Sequence, residues 1–393
     1  MKALRVGVDA TSWTNRRGYG RFARNVIGRM IERDPDTTYV LFTDGEIDLP
    51  EGAEEHRVQL RRKSADAVSA SSSRSVSDLL RLTRAASGDD LDAFVFPSVY
   101  TYFPVLRTPT VVGIHDAISV QLPQLTHPDR KARALWRVKQ WLALRGATTL
   151  FTVSNAARQA IAEALTLEPS RLAVVPEAPD PRFCPRSSEQ TRVELERLGL
   201  ANERFYLYVG GISPHKNLET LVAAFARLVE SRPAAPLLVI VGDLEGETHA
   251  SSSREIIDQA AAAGIADRVL FPGFVSDDAL ACLYGAAAAV VNPSLGEGFG
   301  LPAVEAAACG APLVLSDLPA HRENLGDAAL YFPPLDADSL LRNLVQLLDD
   351  PDLAATLGRR ARAVVAPLSW DAAADRLTEL VAAAARPNGA GVG

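Results

Sequence analysis

Short runs rich in β-branched and aromatic residues recur along the chain, each separated from the next by a segment long enough for a helix. Six come first: "LRVGVDA", "TYVLFTD", "DAFVFPS", "PTVVGIHD", "TTLFTVS" and "RLAVVPE". Six more come after them: "FYLYVGG", "PLLVIVGD", "RVLFPGF", "AAVVNPS", "PLVLSD" and "AALYFPP". Near-continuous apolar strands alternating with helices predict βαβ units, hence parallel sheets with helices on both faces. Between the two sets, "PEAPDPRFCPRSS" carries Pro176, Pro179, Pro181 and Pro185 and reads as an extended interdomain linker. The expectation is an α/β chain of two doubly wound domains, residues 1–180 and 181–368, followed by a helix over 369–386. That helix, "SWDAAADRLTELVAAAA", is capped and amphipathic; the tail "RPNGAGVG" should fray, and the serine-rich residues 61–78 should form a mobile loop.

Ligands of open α/β sheets bind outside the carboxyl ends of the strands, so two such domains imply a cleft between those edges. Composition limits what could bind there. With 393 residues, a net charge of -7 and a pI near 5.5, the chain lacks the basic face a duplex nucleic-acid binder needs. Cys184, Cys282 and Cys309 are far apart, which supports neither a disulfide framework nor a zinc site. The sequence has no signal-peptide core and no run of about 18 apolar residues, so a cytoplasmic, non-spanning protein is expected.

Four stretches could carry chemistry. In "NPSLGEGFGLPAVEAAACGAPLVLSD" a strand runs into a glycine loop and then a helix, with Pro302 in its first turn and Gly310 at its end. A helix start of this kind presents free N–H groups and a positive dipole end to an anion. Glu305 falls on the apolar helix and could bind a ribose diol, while Glu297, in the loop, could address a second polyol. Structural roles stand beside these: Glu305 favouring the helix dipole, Glu297 as a solvated loop acid.

"FYLYVGGISPHKNLETLVAAFARL" repeats the pattern, with Gly210 and Gly211 after the strand and Lys216 before a helix whose face carries Leu218, Leu221, Val222, Phe225 and Leu228. A lysine so placed can neutralise a diphosphate, though an isolated one reads as a surface residue. "VGIHDAISVQLP" puts His115 and Asp116 at a strand end, where the histidine could donate to a substrate or move a proton, or simply terminate the strand. No metal-ligand spacing surrounds it. "DATSWTNRRGYGRFARN" contains Gly18, Gly20 and Ala23, a formal match to the dinucleotide fingerprint, with Asp44 where a ribose-binding acid would lie. That keeps an NAD-dependent dehydrogenase open. The glycines nevertheless fall too far beyond Ala10 for the tight strand-to-helix turn, so they read instead as a loop over the cleft.

Together these residues resemble the retaining glycosyltransferases of family 4, which have the GT-B architecture of two facing Rossmann-like domains with an interdomain cleft. The resemblance rests on the E-x7-E spacing of Glu297 and Glu305, on "GGISPHKN", on "IHD" and on "GYGRF", in the family's order and over the whole chain. It implies that Glu305 binds the ribose of a nucleotide sugar and Glu297 the hydroxyls of the transferred sugar. It also implies that Lys216 and the amides of Gly298, Phe299, Gly300 and Leu301 take the diphosphate, beside Gly211. Main-chain groups of Phe274 and Val275 would meet the base, His115 would lie near the reacting centre, and Gly18 and Gly20 would line the cleft. Catalysis would then fall to His115, Lys216 and Glu297, with no metal or other cofactor and a saccharide or lipid-linked acceptor.

One departure from the family stands out. Many members carry an arginine where this chain has the Gly210–Gly211 pair, so Lys216 acts alone or a base such as Arg322 substitutes. The double glycine resembles a branch rich in bacterial polysaccharide mannosyltransferases, which favours GDP-mannose as donor. A non-catalytic nucleotide-sugar sensor on the same fold is the alternative. Basic clusters at residues 61–63 and at Arg130, Lys131 and Arg133 add peripheral contact with anionic lipid, at the inner face of the membrane, as a further partner.

Overall fold

A computed structural model of the chain describes residues 3–15, 18–61, 75–127, 129–243 and 250–386. Most of the serine-rich stretch, the second and third residues of the 61–63 basic cluster, and the C-terminal tail from residue 387 lie outside the described residues. The chain divides into two compact units, residues 1–177 with 369–393, and residues 178–368.

The first unit is built on a seven-stranded sheet: β1 (Arg5–Asp9), β2 (Thr38–Thr43), β3 (Ala53–Arg57), β4 (Ala93–Phe96), β5 (Thr110–Gly113), β6 (Thr149–Thr152) and β7 (Leu172–Val174). Every pairing is parallel, in the order β3-β2-β1-β4-β5-β6-β7. Val6, Val8, Leu41, Phe42, Phe94, Val95, Val111 and Phe151 are buried, because helices cover both faces of the central strands. The helix Trp370–Ala385 closes this unit against the helix Gly18–Arg33. Ser369 caps it by accepting from the Asp371 amide, and Arg33 forms a two-pronged ion pair with Asp375 at 2.8 and 2.7 Å.

The second unit holds β8 (Phe205–Val209), β9 (Leu237–Val241), β10 (Val269–Gly273), β11 (Ala289–Asn292), β12 (Leu313–Ser316) and β13 (Leu330–Phe332). These too are all parallel, in the order β10-β9-β8-β11-β12-β13. The chain leaves β8 towards one edge and β11 towards the other, so the crevice beyond their carboxyl ends is the topological switch point. This unit begins at Ala178, inside the proline-rich stretch, and its first residues are already anchored to it: Phe183 packs edge-on to Tyr284 and Arg186 pairs with Asp278 at 2.7 Å.

All twelve strand-like runs form strands. The thirteenth, β3, reads "AEEHR" and leaves Glu54, Glu55 and Arg57 exposed; it is an edge strand, whose charges discourage pairing with another chain.

Candidate functional site

Beyond β8 the chain passes Gly210 and Gly211 and makes a single 3₁₀ turn, Pro214–Lys216, before the helix Leu218–Ser231. Asn217 joins turn to helix with φ of 56°, a left-handed conformation that asparagine tolerates better than most residues. Its buried amide nitrogen donates to the carbonyls of Pro293, at 2.9 Å, and Pro334, while its oxygen accepts from Thr220 at 2.8 Å. The Leu295 amide donates to the His215 carbonyl at 2.8 Å. The loops beyond β8 and β11 are thus tied together by main-chain acceptors, which fixes Lys216 against the second loop.

That loop runs from Pro293 to Gly300 and brings Glu297 to within 2.7 Å of Lys216 Nζ. The Glu297 side chain is 9% exposed and its Oε1 also lies 2.7 Å from Ser294 Oγ. Ser294 is positioned by Asn292, whose Oδ1 lies 2.7 Å from the same hydroxyl. Burial alone would push the Glu297 carboxyl upward; the charge of Lys216, aided by hydrogen bonds from Lys216 and Ser294, outweighs it and holds the group down at about 2. Glu297 is therefore an anion at any physiological pH. Its hydrogen bonds all converge on Oε1, and among the described residues none reaches Oε2.

Gly300 ends the loop at φ of 85° and opens the helix Leu301–Ala308, whose start has no side-chain cap and carries Pro302 in its first turn. Glycine is required there twice over. The dihedral disfavours a side chain, and a Cβ would come within 2.9 Å of His321 Cδ2 and 3.2 Å of Nε2. His321, fully buried, lies on the helix Pro319–Leu325 and donates from Nδ1 to the Ser316 carbonyl at 2.8 Å. Among the described residues its Nε2 has no hydrogen-bond partner, and burial lowers its pKa despite the nearby Glu297 anion, which favours the neutral ring with its lone pair on the Gly300 side. Nothing in the local sequence marks His321; only the fold brings it behind the glycine loop.

Gly298, Phe299 and Leu301 are buried in and after the same loop, and the Phe299 carbonyl accepts from Asn324 at 2.7 Å. Glu305 is 3% exposed, one helical turn beyond Leu301. The Gly211 carbonyl accepts from the buried Tyr208 hydroxyl at 2.8 Å. Phe274, exposed, and Val275, buried, come directly after β10 at the same sheet edge. Arg322 makes a two-pronged pair with Asp317 at 2.7 and 3.0 Å and lies over the Tyr331 ring.

The first unit corrects one expectation. Gly18 and Gly20 do not form a loop: Gly18 opens the helix Gly18–Arg33 and Gly20 lies in its first turn. A Cβ on Gly20 would come within 2.1 Å of the Asn15 carbonyl, so this glycine lets the helix approach the preceding segment, whereas Gly18 has open space. His115 is held at the end of β5. Its Nε2 donates to the Pro97 carbonyl at 2.7 Å and its Nδ1 lies 3.5 Å from Glu177 Oε1, with Phe22 edge-on to the ring. Burial lowers the pKa, but Glu177 and the Pro97 carbonyl more than reverse that and raise it above the ordinary histidine value. Glu177, inside the proline-rich stretch, carried no sequence signal for this role. Asp116 Oδ1 accepts from the Ile118 amide at 2.8 Å.

Among the described residues no His, Cys, Asp and Glu cluster could hold a metal ion, and no helix is long and apolar enough to cross a membrane.

The family model described as Glycosyltransferase Family 4 matches residues 16–183, and that described as Glycosyl transferases group 1 matches residues 192–364. The chain is 28% identical over 284 residues to the O-antigen chain mannosyltransferase B of Escherichia coli, covering 72% of each. It is 32% identical over 290 residues to a D-inositol 3-phosphate glycosyltransferase of Thermomonospora curvata, covering 69% of this chain and 65% of the relative. The chain therefore spans less than two thirds of that relative's length. Among solved structures, the fold is similar to sucrose-phosphate synthase from Thermosynechococcus elongatus, with a TM-score of 0.77, 20% identity, and 96% and 98% of the two chains covered. Anabaena HepE in complex with UDP-glucose gives 0.75, 18% identity, and 96% and 99% coverage.

Proposed function

The chain belongs to glycosyltransferase family 4, with the two-domain GT-B fold, and from that premise we propose that it is a cytoplasmic, retaining hexosyltransferase. It takes a sugar from a nucleoside-diphosphate donor to a saccharide or lipid-linked saccharide. The observation that carries this reading is the Lys216–Glu297 pair, set at the switch point beside an uncapped helix start. A donor diphosphate against Gly300 and Leu301 would meet main-chain amides, the positive helix end and the Lys216 ammonium. Glu305 would accept from the ribose hydroxyls and Glu297 Oε2 from the sugar. Phe274 and Val275 would pass the base.

The chemistry depends on where charge develops. As the bond from the anomeric carbon to the phosphate oxygen breaks, negative charge grows on the diphosphate, and Lys216 with the helix-start amides stabilises it. A carboxylate held at about 2 is a poor base, and its Oε1 is already engaged, so Glu297 orients the sugar and does not attack it. The acceptor oxygen bonds the anomeric carbon on the face the phosphate leaves, and its proton passes to the departing phosphate oxygen. Lys216 and the amides supply the countercharge, so we propose that no metal is needed. GDP-mannose is the proposed donor, supported by the Gly210–Gly211 pair and by the likeness to an O-antigen mannosyltransferase.

The test is release of nucleoside diphosphate from GDP-mannose, UDP-glucose and ADP-glucose, with and without EDTA, and the anomeric configuration of the product by NMR. GDP release that EDTA leaves unchanged, with a retained anomer, is expected. Inversion of the anomer, or dependence on added metal, would overturn the mechanism.

A further inference from the structure

The helix Arg130–Gly146 in the first unit has an outer face at odds with an ordinary surface. Leu135 and Val138 are each 56% exposed, Trp141 54% and Leu142 37%. At 100° per residue these four fall on one arc with Arg130, Lys131, Arg137 and Arg145, which are exposed as well. Arg145 lies over the Trp141 ring, 5.0 Å from its centroid. The helix contains no Asp or Glu, in a chain whose net charge is -7.

The inner face explains why the helix stays in place while its outer face remains in water. Trp136 stacks on Tyr100 at 4.9 Å and on His127 at 5.4 Å, and Gln140 and Ala143 are buried. Lys139 Nζ donates to the Tyr100 carbonyl, and the Tyr102 hydroxyl donates to that of Leu142 at 3.3 Å. With the inner face packed in this way, folding of this unit gives no reason for large apolar side chains outside.

We propose that this face docks on an anionic membrane surface. Trp141, Val138, Leu142 and Leu135 would enter the headgroup layer while Arg130, Lys131, Arg137 and Arg145 meet lipid phosphates. An aromatic and aliphatic stripe mixed with cations, and free of acids, is the chemistry of a helix lying in the plane of such an interface. A second copy of the chain fits less well, since a symmetric contact would press two like-charged faces together. The inference is independent of the donor site.

Flotation with vesicles tests it. The protein should float with phosphatidylcholine–phosphatidylglycerol vesicles and not with phosphatidylcholine alone, and salt should weaken the association. Lys131→Glu with Arg137→Glu should lower the partition coefficient by about thirtyfold or more, and Leu135→Ser with Trp141→Ser by about tenfold or more. Brominated anionic lipid should quench the wild type more than Trp141→Phe. Nucleoside diphosphate binding, followed by thermal shift, should be the same in every variant, which separates loss of docking from loss of fold. Equal binding to neutral and anionic vesicles, no binding to either, wild-type binding by both double variants, or self-association that Leu135→Ser with Trp141→Ser abolishes would each overturn the proposal.

Discussion

Lys216→Met keeps most of the side-chain volume and removes the cation that holds Glu297. In the folded protein the Glu297 carboxyl sits at about 2, against an ordinary value of 4.5. The gap of 2.5 units (4.5 − 2), at 1.36 kcal/mol each, amounts to about 3 kcal/mol of stability. The sign comes from the direction of the shift: a depressed folded pKa stabilises above the unfolded value and is lost as pH falls from about 4.5 towards 2. Without Lys216 the largest effect left is burial, which raises the carboxyl, opposed by His321 and the Ser294 hydrogen bond. Lys216→Met should therefore cost about 3 kcal/mol at neutral pH, within the range for breaking one side of a buried pair. Adding Glu297→Gln should recover much of that, because no buried charge is then left unpaired, while transfer activity stays lost. Urea unfolding midpoints at pH 7 and pH 4 for the wild type, both single variants and the double variant give the coupling energy, and nucleotide release gives activity. Single variants within about 0.5 kcal/mol of the wild type, or a double variant no more stable than Lys216→Met, would refute the reasoning.

Other sites give further predictions. Gly300→Ala should cost about 2 kcal/mol or more, from a strained dihedral and the contact with His321, and should weaken nucleoside diphosphate binding; thermal melts with and without GDP check it. Glu305→Ala should raise the Kd for GDP about tenfold or more by removing the acceptor proposed for the ribose, with a smaller effect on turnover of bound donor; calorimetry and saturation kinetics separate the two. His115 has a raised pKa in the folded chain, so its stabilising effect should be complete below its unfolded value near 6.5 and fade as pH rises through the folded one. His115→Asn should flatten that part of the stability profile, measured by melting from pH 6 upward.

The parallel sheets were legible because strands buried on both faces are continuous apolar runs, and so was the pairing of glycine loop with helix start. The edge strand Ala53–Arg57 was not, since an exposed edge needs no apolar alternation. Glu297, Lys216 and Glu305 could be singled out as residue types in suspicious places, but the bond between the first two depends on β8 and β11 being neighbours across 81 residues of sequence. Asn217, Ser294, His321 and Glu177 escaped for the same reason: each works through partners that only the fold supplies. "GYGRF" misled because its glycines looked like loop formers, whereas Gly20 gives a helix room to pack on the Asn15 carbonyl.

The central claim is that the Lys216–Glu297 crevice receives the donor diphosphate. A crystal structure with bound GDP tests it directly. The diphosphate should sit within hydrogen-bonding distance of Lys216 Nζ and of the Gly300 and Leu301 amides, with the ribose on Glu305. A diphosphate bound elsewhere, with Lys216 unchanged on Glu297 and the helix start untouched, would contradict the account.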